Sequence, residues 1–188
     1  MRLPQSDANN PSSIEMEEFK QIVDYYMEQG FDYFDTSYAY HTETSENALK
    51  KALVERYLHK SYRIADKIPT WALSYEADNE KYIDIMLERL GIEYFDVLLI
   101  HNINKAFIKL AENAKSFEYI KKTKNQGKTL NIGISYHGKY DLLKEVLDKY
   151  SDILDVVQIQ LNYMDWNDQR IQSKKLHRLC NEYDIEMC

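Results

Sequence analysis

Three observations predict an α/β chain carrying the strands of an incomplete (β/α)8 barrel. Short apolar runs alternate with amphipathic segments of helical period along the 188 residues, with no hairpin signal between them, which implies parallel strands joined by helices. One run, FDVLLI (95–100), is apolar on both faces, as a strand buried in a helix-covered parallel sheet must be. Polar residues gather at or just past the carboxyl ends of the runs: Asp35 and Tyr40 after FDYF, Lys67 after YRIAD, His101 after FDVLLI. A parallel α/β barrel collects its chemistry at that end.

The first helix is expected to begin near Ser12, whose hydroxyl would cap it while Glu15 reaches back. Its stripe of Phe19, Ile22, Val23, Tyr26 and Met27 faces a core, and Gly30 ends it. FDYFD (31–35) follows as a short strand, after which Thr44 or Ser45 opens a helix with Ala48, Leu49, Ala52 and Leu53 inward. YRIAD (62–66) reads as a strand stopped by Pro69, and Tyr75 to Leu90 as a helix with Gly91 past its end. After FDVLLI, a fourth helix holds Phe117, Ile120 and Lys121 and stops at Gly127. Strand LNIGIS (130–135), a helix from Tyr140 to Tyr150, strand LDVVQIQLN (154–162) and a helix from Gln169 to Tyr183 complete the pattern. Ile185, Met187 and Cys188 begin another strand.

Five strands are thus complete and a sixth is begun, against eight in a closed barrel of about 250 residues. We expect one partial barrel domain over 1–188, cut rather than naturally finished, whose open edges invite self-association. Five strands plus five make ten, so pairing two copies would need displaced or swapped strands. A doubly wound dinucleotide fold would show GxGxxG after its first strand; the five glycines never cluster, and the barrel is favoured.

Composition narrows the function. A formal charge of −7 with dispersed Lys and Arg argues against nucleic acid, and KKTK (121–124) reads as a solvated helix face. No apolar stretch is long enough for a membrane span. Two cysteines, without metal spacing, suit a reducing cytoplasm and neither a disulfide framework nor a zinc site. Five histidines form no HExxH, so no metal site is expected.

At the stretches FDTSYAYH (34–41), SENALKKAL (45–53), ADKIP (65–69), LLIHN (98–102), NIGIS (131–135) and VVQIQLNY (156–163) the chain resembles the aldo-keto reductase family, NAD(P)H-dependent carbonyl reductases on a (β/α)8 barrel. MRLP, SYHG (135–138) and QIQLNYMD (158–165) look most like a bacterial and archaeal branch that often carries a ferredoxin-like 4Fe-4S tail, a segment with no counterpart expected within residues 1–188. The match implies strands 2–6 of the barrel, most of the first strand missing and the last two absent.

The resemblance implies a tetrad of Asp35, Tyr40, Lys67 and His101 acting on an aldehyde or ketone, with NADP(H) or NAD(H) as cofactor. Tyr40 is the implied general acid: a phenol ordinarily titrates near pH 10 and a nearby ammonium favours its phenolate. Asp35 is implied to hold Lys67, and His101 to orient the carbonyl oxygen. Ser135 and Gln158 match positions that bind the nicotinamide carboxamide. Tyr38 is the rival to Tyr40, since the chain holds sixteen tyrosines, and family spacing selects Tyr40. Trp71 and Trp166 are read as lining a substrate pocket or packing the barrel rim, and His41 stays open. Two further readings are a fragment without stable cofactor binding and an unrelated barrel enzyme.

The chain departs from the family at three places. Asp66 stands where Ser or Thr is usual and should point away from Lys67 with little effect on the tetrad. Tyr136 stands where many members place a carboxamide-binding Asn. The late segments that grip the adenosine phosphate have no counterpart, so NADP preference rests on the resemblance.

Overall fold

Period-two alternation gives each strand one face toward helices and one toward the barrel axis, and the sheet follows from this. The computed structural model describes residues 2–188. Six parallel strands lie in chain order: β1 (Tyr33–Asp35), β2 (Arg63–Ile68), β3 (Phe95–Ile103), β4 (Thr129–Tyr136), β5 (Val156–Gln158) and β6 (Glu186–Met187). Helix α1 (Met16–Glu28) precedes β1, and the crossovers carry α2 (Ser45–Leu49), α3 (Glu76–Leu90), α4 (Ile108–Asn113), α5 (Ser116–Asn125), α6 (Tyr140–Tyr150) and α7 (Ser173–Glu182). The sheet curls: Gln158 Nε2 on β5 donates to Asp35 Oδ2 on β1 across 3.0 Å, and the Tyr33 hydroxyl meets Cys188 Sγ just past β6. The result is a half-barrel with β1 and β6 at its edges.

The convex face, under the helices, holds a continuous core in which Ile64, Ile68, Leu98, Ile100, Ile132, Ile134 and Val157 meet Leu49, Leu53, Ile83, Met86, Phe117, Leu147 and Leu179. The concave face has only Ala65, Val97, Leu99 and Val156, with Tyr33 packed beside them. Gly133 lets β4 and β5 approach: a Cβ there would stand 1.9 Å from the Val156 carbonyl oxygen. Gly91, at φ +69°, ends α3 in the left-handed cap foreseen for it.

Four local readings need correction. The first helix starts at Met16 with Glu15 at its N-cap position, not near Ser12. Turn chemistry in DANNPSS wins instead: Asp7 and Asn10 side chains accept nearby backbone N–H groups, and Gln5 and Ile14 form an antiparallel bridge. Short α4 was not foreseen, because six residues show no periodic stripe. The fifth strand stops at Gln158 rather than Asn162, because Asp165 and Asn162 close a polar turn beyond it. The last helix begins at Ser173 rather than Gln169; Gln172 is left-handed at φ +62°, and Asp168 holds the preceding turn through the Arg170 N–H and guanidinium.

Candidate functional site

Strand parity brings distant residues together. Asp35 pairs in register with Ala65, Lys67 with Leu99, Leu99 with Gly133, and Ser135 with Gln158. Ala65 and Leu99 belong to the concave cluster, so Asp35, Lys67, His101, Ser135 and Gln158, two residues on from inward positions or level with them, face the axis at the carboxyl ends.

Lys67 is the centre. Its side chain is 1% exposed, so its charge needs partners. Nζ donates to Asp35 Oδ2 at 2.5 Å and to the Thr36 carbonyl at 2.8 Å, using two of three ammonium donors. The Tyr40 ring centroid lies 5.0 Å from Nζ, and its ring meets His101 edge-on at 5.8 Å. Gln158 shares the Asp35 oxygen that Lys67 uses.

His101 is buried, and its Nδ1 lies 2.8 Å from Ser37 Oγ. Burial first, then the Lys67 and His137 charges, push its pKa down to about 3, so the ring is neutral near pH 7 with one donor and one acceptor nitrogen. Thr70 Oγ1 donates to the His101 carbonyl at 2.5 Å, and the following Asn102 is left-handed at φ +58° where β3 breaks register. His41, Thr42 and Glu43, just after Tyr40, are also left-handed, at φ +52°, +50° and +68°. Consecutive non-glycine residues in that region are strained and cluster at functional loops.

The ambiguous residues separate. Tyr38 leaves the site for the convex side, where the Arg89 guanidinium sits 4.4 Å from its ring and Tyr82 packs edge-on. His41 accepts from the Leu3 N–H and contacts the Pro11 carbonyl, tying down the N-terminal arm. Trp71 stands 5.1 Å from the His101 ring with Phe107 beyond, whereas Trp166 packs on His177 of α7. Tyr136 is on the convex face with its hydroxyl on the Lys139 carbonyl at 2.5 Å. Ser135 Oγ lies 3.3 Å from His137 Nε2. Ser37 and His137 escaped the sequence reading, although they sit inside the quoted stretches FDTSYAYH and SYHG; no spacing rule marks Ser37, whose partner is 64 positions away.

Parallel strands in chain order, curled so that polar side chains converge at their carboxyl ends, define the (β/α)8-barrel class. The aldo/keto reductase family profile matches residues 2–188, and the chain belongs to that family. It is 32% identical over 124 residues to L-galactose dehydrogenase of Arabidopsis thaliana, a match covering 64% of this chain and 38% of that protein. A thermostable aldo-keto reductase solved with the inhibitor epalrestat superposes with a TM-score of 0.76 at 20% identity, covering 100% of this chain and 62% of its own. The aldo-keto reductase of Bombyx mori in complex with NADP gives 0.70 at 17% identity, covering 98% of this chain and 57% of its own. The chain therefore spans less than two thirds of the length of these relatives. Among the described residues no helix is long and apolar enough to cross a membrane.

Proposed function

We propose that this chain carries the catalytic residues of an NAD(P)H-dependent oxidoreductase that reduces an aldehyde or ketone to an alcohol, with Tyr40 as general acid. The supporting observation is a buried Lys67 ammonium held between Asp35 and the Thr36 carbonyl, beside Tyr40 and a neutral His101. When bound, the nicotinamide supplies hydride to the carbonyl carbon. Negative charge then grows on the carbonyl oxygen, and Tyr40 gives its proton to that oxygen while the adjacent ammonium stabilises the phenolate left behind. Asp35 holds the Lys67 ammonium in place, and neutral His101 donates a hydrogen bond to the carbonyl oxygen from the nitrogen not engaged by Ser37.

Ser135 and Gln158, paired in register, offer a hydroxyl and an amide side by side, a donor and acceptor set that fits a carboxamide. They are the residues that would hold the nicotinamide, and the NADP named for the Bombyx mori relative supports this cofactor class. Trp71 and Phe107 would line the small carbonyl substrate's pocket. A separate proposal, self-association at the β1 edge, is supported by an apolar cleft of about 320 Å³ between α1 and β1, lined by Phe19, Ile22, Val23 and Tyr26, and is read by sedimentation.

Oxidation of NADPH with a panel of aldehydes tests the catalytic reading. Tyr40→Phe is expected to lower turnover by about 10²- to 10⁴-fold; equal rates in both proteins would sink the assignment. Fluorescence titration of NADPH separates a chain that binds cofactor from one that does not.

A further inference from the structure

Directly behind Lys67, on the convex face, two carboxyl groups share one sealed space. Asp66 of β2 and Glu46 of α2 are both 0% exposed. Each has one oxygen in use: Asp66 Oδ1 accepts the Lys67 backbone N–H at 2.7 Å, and Glu46 Oε2 accepts Arg89 Nη1 at 3.0 Å. The other two oxygens, Asp66 Oδ2 and Glu46 Oε1, are buried and have no donor from any other group. The two carboxyl groups stand close enough to interact as side chains.

Two ionised carboxylates cannot occupy this arrangement. Neither free oxygen has a donor, so contact between two ionised groups would be repulsive, and Asp66 would bury a charge with no cation paired to it. The charged groups acting on the pair are Arg89 of α3 and Glu43 of the loop after β1, on Glu46, and Lys67 of β2 itself, on Asp66. Lys67 Nζ is spent on the concave side, on Asp35 and Thr36. Arg89 is already shared between Glu46 and Glu43, so no countercharge is left for Asp66 on this face. A proton between Asp66 and Glu46 turns the repulsive contact into a hydrogen bond and removes one charge. Burial, then the Glu46 charge, raise the pKa of Asp66 well above the ordinary carboxylate range. Burial also raises that of Glu46, which Arg89 opposes.

We propose that Asp66 is held as a neutral carboxylic acid donating to Glu46, and that it is a positioning residue for the pair Lys67 and Tyr40. The resulting chain runs from the Lys67 backbone N–H through Asp66, Glu46 and Arg89 to Glu43, three residues after Tyr40. It clamps the strand that presents the ammonium to the strained loop that presents the phenol, whose left-handed residues 41–43 need an outside restraint. The same Arg89 stacks on Tyr38, so the clamp grips both ends of that loop. Its effect on turnover rests on the catalytic reading above; the protonation state does not.

Site-resolved carboxyl ¹³C NMR of the wild-type chain, titrated from pH 4 to pH 8, tests the proton directly. Asp66 should remain in its acid form at pH 7, and an ionised Asp66 at that pH would overturn the proposal whatever the enzyme does. Because folding traps a proton that the unfolded chain has released, the pair favours the folded state by a factor that falls about tenfold per pH unit above the ordinary carboxylate pKa until Asp66 ionises. Asp66→Asn keeps both hydrogen bonds with a neutral group, so it should remove this alkaline loss from the melting profile; an unchanged pH slope contradicts the proposal.

For positioning, Asp66→Ala is expected to lower kcat about tenfold with little change in KM, as a displaced catalytic group does, and Asp66→Asn to restore it. Equal kcat in Asp66→Ala and wild type would exclude the clamp. Absence of turnover in wild type, with Asp66 still protonated, would instead count against the catalytic reading.

Discussion

Asp66 and Lys67 are neighbours on one strand, yet the two faces of the sheet treat their charges in opposite ways. Inward, the Lys67 ammonium finds a carboxylate and a carbonyl as partners. Outward, the Asp66 carboxyl meets another carboxyl and is satisfied only by keeping a proton. The same contrast runs through the apolar residues. The convex face is sealed by helices into one large core, while the concave face has only a small apolar cluster. One face holds the fold together and the other is left free to meet ligands. Polar groups on the sealed face must complete one another, whereas those on the open face can turn to a substrate.

The largest expected effect that sharpens this contrast is on chemistry. Lys67→Met should lower turnover about a thousandfold, within the range of a lost acid-base partner, and steady-state NADPH oxidation reads it; a smaller fall than for Asp66→Ala would reverse the ranking of the two faces. Next come adjacent leucines on β3. Leu98 packs in the convex core and Leu99 in the concave cluster. Truncating buried leucine to alanine costs about 2–5 kcal/mol, and we expect Leu98→Ala near the top of that range and Leu99→Ala near the bottom. Denaturant midpoints for the two variants break the contrast if they coincide.

The pH dependence of stability should show opposite slopes from the two faces. His101 has its pKa lowered to about 3, so below about 6.5 the unfolded chain takes up a proton that the folded chain refuses. Its contribution is complete above the unfolded pKa and is lost as the pH falls from about 6.5 toward 3, by at most about 1.4 kcal/mol per unit. Asp66, with its pKa raised, gives a contribution that is full in acid and lost as the pH rises. Melting curves of His101→Gln should therefore lose acid sensitivity, where Asp66→Asn loses the alkaline one. The smallest expected change is in cofactor affinity: Ser135→Ala should weaken NADPH binding by a few-fold, the worth of about one neutral hydrogen bond.

Much of the fold was legible because it rests on local chemistry. Helix α6 spans Tyr140–Tyr150 as its periodicity indicates, and α3 runs from the Tyr75 cap to Gly91. Elements failed where short-range polar pairing competes with periodicity, as at Ser12, at Asn162 to Asp165 and before Ser173. The candidate site was legible in part, since residues at strand ends with one parity converge on the axis of a parallel sheet. Ser37 was not, because a hydroxyl in a loop shows nothing of a histidine 64 residues away. Asp66 was read correctly as facing away from Lys67, but its neighbour on that side lies on α2.

By itself, then, the sequence determined the alternation of strands and helices, the parity that turns Asp35, Lys67, His101, Ser135 and Gln158 the same way, and the resemblance that names a family. Only tertiary structure decided which groups meet. The curl of the sheet brings Gln158 onto Asp35 across 123 residues, and the closing of α2 over β2 sets two acids against each other out of water. Pattern follows from backbone geometry, which is local and periodic. Protonation and charge pairing follow from distance and burial, and those exist only once the chain has folded.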